Sequence, residues 1–111
     1  MSVTKITQSD FNSLVSSADA GVQVFRFWAP WCSPCMMMKP MYEEAAKKIG
    51  DTALLGEINV DEEQALSAKH GIRSIPTVVF YKDGQEAGRF SGVMTASNIA
   101  EIVEKLRTAE E

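Results

Sequence analysis

Cysteine and histidine are scarce in this chain of 111 residues, which contains two cysteines and one histidine. A structural zinc site usually needs about four Cys or His ligands, so this set is too small and we expect no metal. No apolar run approaches the roughly 20 residues of a membrane-spanning helix. The first residues, from Met1 to Lys5, lack the basic and apolar regions of a signal peptide. These absences predict a cytoplasmic protein with no membrane partner.

Positive charge is also in deficit, since 11 lysines and arginines stand against 15 aspartates and glutamates and the net charge is −4. A nucleic-acid-binding domain would carry a basic surface, so we expect no nucleic-acid partner. Apolar residues make up 45% of the chain, which is ordinary for a globular protein and argues against disorder. The length suits a single domain over residues 1–111, which we expect to be monomeric.

The cysteines that are present, Cys32 and Cys35, are separated by two residues. They follow the stretch Val22–Trp28, which is apolar apart from Arg26 and predicts a central strand covered on both faces. They precede a stretch with helical periodicity, and Pro34 suits its first turn because the missing N–H costs nothing there. Thiols at this spacing can close into a small ring and reopen. A CxxC pair at a strand-to-helix junction therefore indicates redox chemistry.

Hydrophobic periodicity and turn residues predict the order helix, strand, helix, strand, helix, hairpin, helix, with a further short strand near residues 3–6. Helices interleaved with strands imply a sheet between helical layers. The expected elements are a helix from Thr7 to near Gly21, a strand over 22–28, a helix from Cys32 to Gly50 kinked at Pro40, a strand over 53–60, a helix over 61–69, strands over 77–81 and 86–91, and a helix beginning at Thr95.

Several polar and sulfur-containing residues have simple structural interpretations in this order. Asp61 is expected to cap the third helix, and the acidic run that it begins complements the helix dipole. His70, at the end of that helix, is expected as a solvated C-terminal cap rather than as a ligand. In the methionine run after the cysteines, Met38 and Met41 are expected in the core, and Met36 is a candidate contact with a partner.

Five segments, in order and with the family's spacing, resemble the thioredoxin family over almost the whole chain. They are residues 27–35 (Phe-Trp-Ala-Pro-Trp-Cys-Ser-Pro-Cys), Pro40, residues 59–61 (Asn-Val-Asp), residues 71–77 (Gly-Ile-Arg-Ser-Ile-Pro-Thr) and Gly92. The resemblance implies an α/β thioredoxin fold, with a central mixed β-sheet of about four to five strands flanked by about four helices. It also implies that Pro76 follows a cis peptide bond and faces the cysteine pair.

The resemblance further implies a thiol-disulfide oxidoreductase that reduces disulfides in other proteins. Cys32 would be the nucleophile, because a helix N-terminus favours a thiolate there, and Cys35 would be the resolving thiol. Pro34, and Ser33 in place of the family's usual glycine, would tune the redox potential. No bound cofactor is expected, because the cysteine pair is the redox centre. The implied partners are disulfide-containing substrate proteins and a thioredoxin reductase as electron donor.

By the same resemblance, an apolar rim surrounds Cys32 and binds an extended substrate segment by strand addition. The alternative interpretation places Ile75 and Val93 in the core at the ends of loops. The expected rim residues are Trp31, Ile75, Pro76, Gly92 and Val93.

Two positions depart from the family pattern. Typical members have a buried aspartate on the central strand where this chain has Arg26, and a lysine on the adjacent strand where it has Glu57. A lone buried arginine would be costly, so the exchange of both signs suggests an ion pair between them. We then expect Arg26 to stabilise a Cys35 thiolate and Glu57, through a water, to take the proton. In the alternative, Arg26 reaches solvent and Glu57 is a surface charge.

Three other functions stay open at the level of the sequence. The first is a thiol oxidant or isomerase of the same fold, which its equilibrium with glutathione would distinguish from a reductant. The second is a non-catalytic, thioredoxin-like scaffold subunit, whose activity would survive replacement of both cysteines by serine. The third is a buried, inert cysteine pair.

Overall fold

The computed structural model describes residues 3–16 and 20–109, and within them a mixed five-stranded sheet lies between helices. The elements are β1 (Thr4–Lys5), α1 (Gln8–Leu14), β2 (Val22–Trp28), α2 (Ser33–Ile49), β3 (Ala53–Asn59), α3 (Gln64–Lys69), β4 (Thr77–Lys82), β5 (Gln85–Ser91) and α4 (Ala96–Thr108), with a 3₁₀ turn at Gly50–Thr52. The strand order is β1-β3-β2-β4-β5, with β1, β3 and β2 parallel and β4 and β5 antiparallel to their neighbours. This arrangement confirms the expected fold class.

Strand β2 lies at the centre of the sheet and divides the core into two layers. Val22 and Val24 pack with α2 and α4, whereas Phe25 and Phe27 pack on the opposite face with α1 and α3. Because strand side chains alternate between faces, Arg26 shares the face of Val24 and lies beneath α2. The fold therefore places a charged residue in the layer that supports the cysteine helix.

Helix α2 forms where the periodicity predicts it. Cys32 is its N-cap, Pro34 stands in its first turn, and Gly50 ends it with a φ of 64°. The helix continues through Pro40. Met36 and Met37 are exposed and Met38 is buried, as expected for a helix with one apolar face, but Met41, which was expected in the core, is only half-buried. The predicted buried stripe is confirmed, and it comprises Cys35, Met38, Tyr42, Ala45, Ala46 and Ile49.

The predicted end of the first helix, near Gly21, is wrong. Thr7 forms the expected capping box with Asp10, but α1 ends at Leu14. Ser16 donates a hydrogen bond to the carbonyl of Ser13 at 3.0 Å, which is how short polar side chains compete with helical bonds. The longer helix was expected because Phe11, Leu14, Val15 and Ala18 follow the helical spacing i, i+3, i+4, i+7, but Ala18 lies outside the described residues.

The predicted cap of the third helix is also wrong. Helix α3 begins at Gln64, and its N-cap Glu63 makes no side-chain capping bond. The side chain of Asn59 accepts the N–H groups of Asp61 and Glu62 at 2.9 and 3.3 Å. Asn59 thereby turns the chain before the helix begins, so the acidic run is not the helix's first turn.

His70 was expected to be solvated, and this expectation is wrong as well. The residue is only 9% exposed, and its ring contacts the rings of Phe11 and Phe27. Nδ1 lies 3.0 Å from the carbonyl of Leu66, which can only accept, so in the neutral ring Nδ1 carries the hydrogen and Nε2 accepts from the Tyr81 hydroxyl at 2.8 Å. Aromatic side chains from α1 and the sheet cover the ring, which the helix pattern alone does not show.

Candidate active site

The two cysteines occupy the start of α2 and form a disulfide, with their Cα atoms 5.2 Å apart. The backbone N–H of Cys35 points at the Cys32 sulfur, 3.2 Å away. Cys32 keeps 6% of its surface exposed and Cys35 keeps none. An accessible first thiol was expected at the helix N-terminus; Cys32 is instead buried, although it alone of the two cysteines keeps some exposed surface.

The loop before β4 lies against the cysteine pair. The Ile75–Pro76 peptide bond is cis, as the resemblance implied. Ile75 packs against the cysteines, and its carbonyl oxygen lies 3.7 Å from the Cys32 sulfur. The N–H of Gly92 donates to the carbonyl of Pro76 at 2.8 Å, which holds the segment after β5 beside this loop.

Some of the expected rim residues therefore provide exposed apolar surface, and the others are more buried and hold that surface in place. Trp31 is 68% exposed and Val93 is 37% exposed, so the alternative that Val93 is a core residue is wrong. Ile75 and Gly92 are half-buried, and Pro76 is buried. A cavity of about 180 Å³ opens beside Trp31 and Ile75. Its remaining lining residues, which were not among the expected rim residues, are Val60, Ser67, Ile72, Arg73 and Ser74.

Asp61 has a role at the site that the sequence analysis missed. Its carboxylate accepts a hydrogen bond from the indole Nε1 of Trp31 at 2.7 Å. This charge-assisted bond restricts the most exposed aromatic ring beside the cysteines. The acidic residue was assigned to a helix cap because its position after β3 resembles one, and only the packing of β3 beside the Cys32 loop shows its partner.

Arg26 and Glu57 form the ion pair that the exchanged signs suggested. They stand opposite each other in the parallel ladder of β2 and β3. The Arg26 nitrogens Nη2 and Nε lie 2.5 and 3.2 Å from Oε2 of Glu57, and Nη1 donates to the carbonyl of Cys35 at 2.9 Å. The Arg26 side chain is fully buried and that of Glu57 is 13% exposed. The alternative of an arginine that reaches solvent is wrong.

Aromatic rings enclose the guanidinium of Arg26. Its carbon Cζ lies 5.5 Å from the centre of the Trp28 ring and 5.4 Å from that of Tyr42, within the range of cation–π contacts. The Tyr42 hydroxyl lies 2.8 Å from the carbonyl of Gly56. Burial, and then the charge of Glu57, raise the pKa of Tyr42 well above its usual value, so the phenol stays neutral. Glu57 is therefore the anion that faces Arg26.

Ser33 and Pro34 are exposed in the first turn of α2. Residues 3–16 and 20–109 contain no group of three or more His, Cys, Asp or Glu side chains placed to hold a metal ion. No helix within these same ranges has the length and apolar character needed to cross a membrane.

Comparisons with known proteins agree with this geometry. The family model described as Thioredoxin matches residues 2–105. Thioredoxins of Staphylococcus aureus are 40% identical over 105 residues, which cover 95% of this chain and 98% of theirs.

Solved structures agree as well. A mutant thioredoxin from Halobacterium salinarum aligns with a TM-score of 0.86 and 27% identity over 99% of this chain and 95% of that one. Chloroplastic thioredoxin z aligns with a TM-score of 0.85 and 28% identity over 98% and 97%, respectively. Malassezia sympodialis thioredoxin aligns with a TM-score of 0.84 and 30% identity over 96% and 92%.

The sequence match, the mixed sheet and the cysteine pair at the head of α2 lead to one conclusion. Cys32 and Cys35 are a dithiol/disulfide redox centre, and a chain with this centre is a thiol-disulfide oxidoreductase. The protein belongs to the thioredoxin family.

Proposed function

We propose that this oxidoreductase works as a reductant of disulfides in other proteins. The observation that carries the proposal is the difference between the two cysteines, since Cys32 has exposed surface and Cys35 has none. A sulfur at a helix N-terminus is favoured as a thiolate, which is the attacking species in disulfide exchange. A fully buried partner sulfur can react only within the protein.

Catalysis then takes two exchanges. The Cys32 thiolate attacks one sulfur of the target disulfide, and the other target sulfur leaves with the electron pair and takes a proton from solvent. Cys35 next loses its proton and attacks the Cys32 sulfur of the mixed disulfide. The second target thiol is released, and the Cys32–Cys35 bond forms. The target gains two electrons in total, and the dithiol loses them.

Substrate binding is assigned to the rim of Trp31, Ile75, Pro76, Gly92 and Val93. An extended segment of the target would pair its backbone with that of Ile75, whose carbonyl lies near the Cys32 sulfur. The exposed ring of Trp31 and side chain of Val93 supply apolar surface on either side. Binding through backbone groups and apolar contacts tolerates many target sequences, which suits a general reductant.

Proton transfer and tuning are assigned to residues of the motif and to the pair beneath it. Glu57 is half-buried and paired with Arg26, so through a water it can accept the Cys35 proton during the second exchange. Arginine stays protonated and cannot do so. Ser33 and Pro34 restrain the ring that the disulfide closes and so adjust its potential.

The partners and setting follow from this chemistry. Disulfide-containing proteins are the substrates, and a thioredoxin reductase returns two electrons to the cysteine pair. The cysteine pair needs no bound cofactor. We place the protein in the cytoplasm, because a reducing compartment keeps such thiols active. The negative net charge argues against a nucleic-acid partner. We expect a single-domain monomer without a membrane partner.

The test is reduction of insulin disulfides with candidate reductases as electron donors. The wild-type chain should accelerate insulin reduction, and Cys32→Ser should reduce the rate to that of the uncatalysed reaction. Cys35→Ser should instead accumulate the mixed disulfide, which mass spectrometry detects. A wild-type chain that leaves insulin intact with every donor would refute the proposal and favour the oxidant or scaffold alternatives.

A further inference from the structure

The charge of Arg26 is the strongest feature that the exchange chemistry leaves unexplained. Among the described residues, Arg26 is the only buried lysine or arginine. Nη1 binds the carbonyl of Cys35, and Nη2 and Nε bind Glu57. A guanidinium does not lose its proton in proteins, so a permanent positive charge lies directly beneath the buried half of the redox pair.

We propose that Arg26 is a positioning residue of the redox centre, which holds the first turn of α2 through Cys35 and stabilises the dithiol state by its charge. Glu57 opposes this stabilisation and sets how much of the charge the sulfurs experience. The inference concerns the established dithiol/disulfide couple and does not depend on which direction it runs in the cell.

The sign of the effect follows from the electron and proton balance. Two electrons break the sulfur–sulfur bond, and the sulfurs produced either take protons from solvent or remain thiolates. The disulfide has no net charge, whereas a thiolate has one negative charge. A fixed cation nearby therefore favours only the reduced side of the equilibrium, and a carboxylate disfavours it. A protein whose reduced form is stabilised is a stronger oxidant.

This balance separates an electrostatic role from a merely structural one. If the pair only held β2, β3 and α2 together, loss of either partner would weaken the same contacts and lower stability in the same way. If the charges act on the sulfurs, loss of Glu57 and loss of Arg26 shift the redox equilibrium in opposite directions. The two single variants therefore test the proposal without a structure of either.

The experiment equilibrates wild type, Glu57→Gln, Arg26→Gln, Arg26→Lys and the double variant R26Q/E57Q in glutathione buffers, and measures the oxidised fraction by thiol alkylation. We expect Glu57→Gln to be reduced more readily by about tenfold in the equilibrium constant, the equivalent of one pKa unit or about 30 mV. Arg26→Gln should shift by about tenfold the other way. Arg26→Lys should stay near wild type because it keeps the charge, and the double variant should fall between the single ones.

Glu86→Gln is the matched control, because it removes the carboxylate of an Arg–Glu pair away from the cysteines and should leave the equilibrium unchanged. Thiolate absorbance at 240 nm should move in step, with the thiols ionising at lower pH in Glu57→Gln. Shifts of one sign in both single variants, or shifts below about twofold, would overturn the proposal. If Arg26→Gln does not fold, the redox equilibrium of Glu57→Gln, compared with that of Glu86→Gln, still tests the proposal. Insulin reduction by wild type reports separately on the reductase proposal.

Discussion

The buried pair Arg26–Glu57 and the exposed pair Arg89–Glu86 have nearly the same bonds in different surroundings. Each guanidinium uses two nitrogens for the carboxylate and its third for a backbone carbonyl, that of Cys35 in one pair and His70 in the other. The Arg26 side chain is fully buried, while those of Arg89 and Glu86 are 36% and 33% exposed. The comparison teaches that burial, more than bond count, decides what an ion pair is worth.

The largest difference should appear in stability. Arg26→Met leaves the carboxylate of Glu57 without its buried partner and should lower the free energy of unfolding by about 3–5 kcal/mol, whereas Arg89→Met should cost about 1 kcal/mol or less. Adding Glu57→Leu to Arg26→Met should recover most of the loss, because no charge is then left unpaired. Urea unfolding of the oxidised proteins measures all of these. Equal losses at the two arginines would break the comparison.

A second difference should appear in kinetics. Glu57→Gln should slow resolution of the mixed disulfide by about a hundredfold, the low end for loss of a general base, and slow the first attack much less. Glu86→Gln should change neither step, since Glu86 is on the hairpin beyond His70. Stopped-flow measurements with a fluorescent disulfide peptide separate the steps. Equal slowing of both steps by Glu57→Gln would remove Glu57 from proton transfer.

The smallest effect should be the pH dependence of the exposed pair. The hydrogen bond from Arg89 lowers the pKa of the Glu86 carboxyl in the folded state. The pair therefore adds stability above the unfolded-state pKa, and this contribution is lost as pH falls through the folded-state pKa. Wild type should exceed Glu86→Gln by less than about 1 kcal/mol at pH 7, and the gap should close below about pH 4. A stability difference that persists in acid would show that it arises from packing and not from the charge of Glu86.

The sequence predicted best those features that repeat along one element. The stripe of α2 from Cys35 to Ile49 was predicted completely, because a long amphipathic helix with a glycine end leaves few alternatives. The contact of Arg26 with Glu57 was also predicted, because the resemblance to the thioredoxin family placed these two exchanged charges on adjacent strands. The first prediction needed only the period of one element, whereas the second needed the family's strand order.

Features that depend on which element covers a residue were missed. In the sequence, Asp61 resembles a helix cap. In the fold, the loop before Cys32 places the Trp31 indole beside it. In the sequence, His70 resembles a solvated helix end. In the fold, Tyr81 and the aromatic rings of α1 and β2 cover it. Neither contact has a period, and each joins segments that are far apart in sequence. Single-residue roles of this kind follow from packing and not from local pattern.

The loop of residues 71–76 is fastened at both of its ends to the β4–β5 hairpin and to the segment that follows it. The guanidinium of Arg89 donates a hydrogen bond to the carbonyl of His70 at one end, and the N–H of Gly92 donates to the carbonyl of Pro76 at the other. The cysteine sulfurs, by contrast, lie at the N-terminal end of α2. In the proposed mode of binding, a target protein therefore contacts two segments, this loop and α2, that are held in place by different parts of the fold. Loss of the hydrogen bond from Arg89 to the His70 carbonyl should weaken target binding, visible as a higher KM, and should leave the intrinsic reactivity of the sulfurs unchanged.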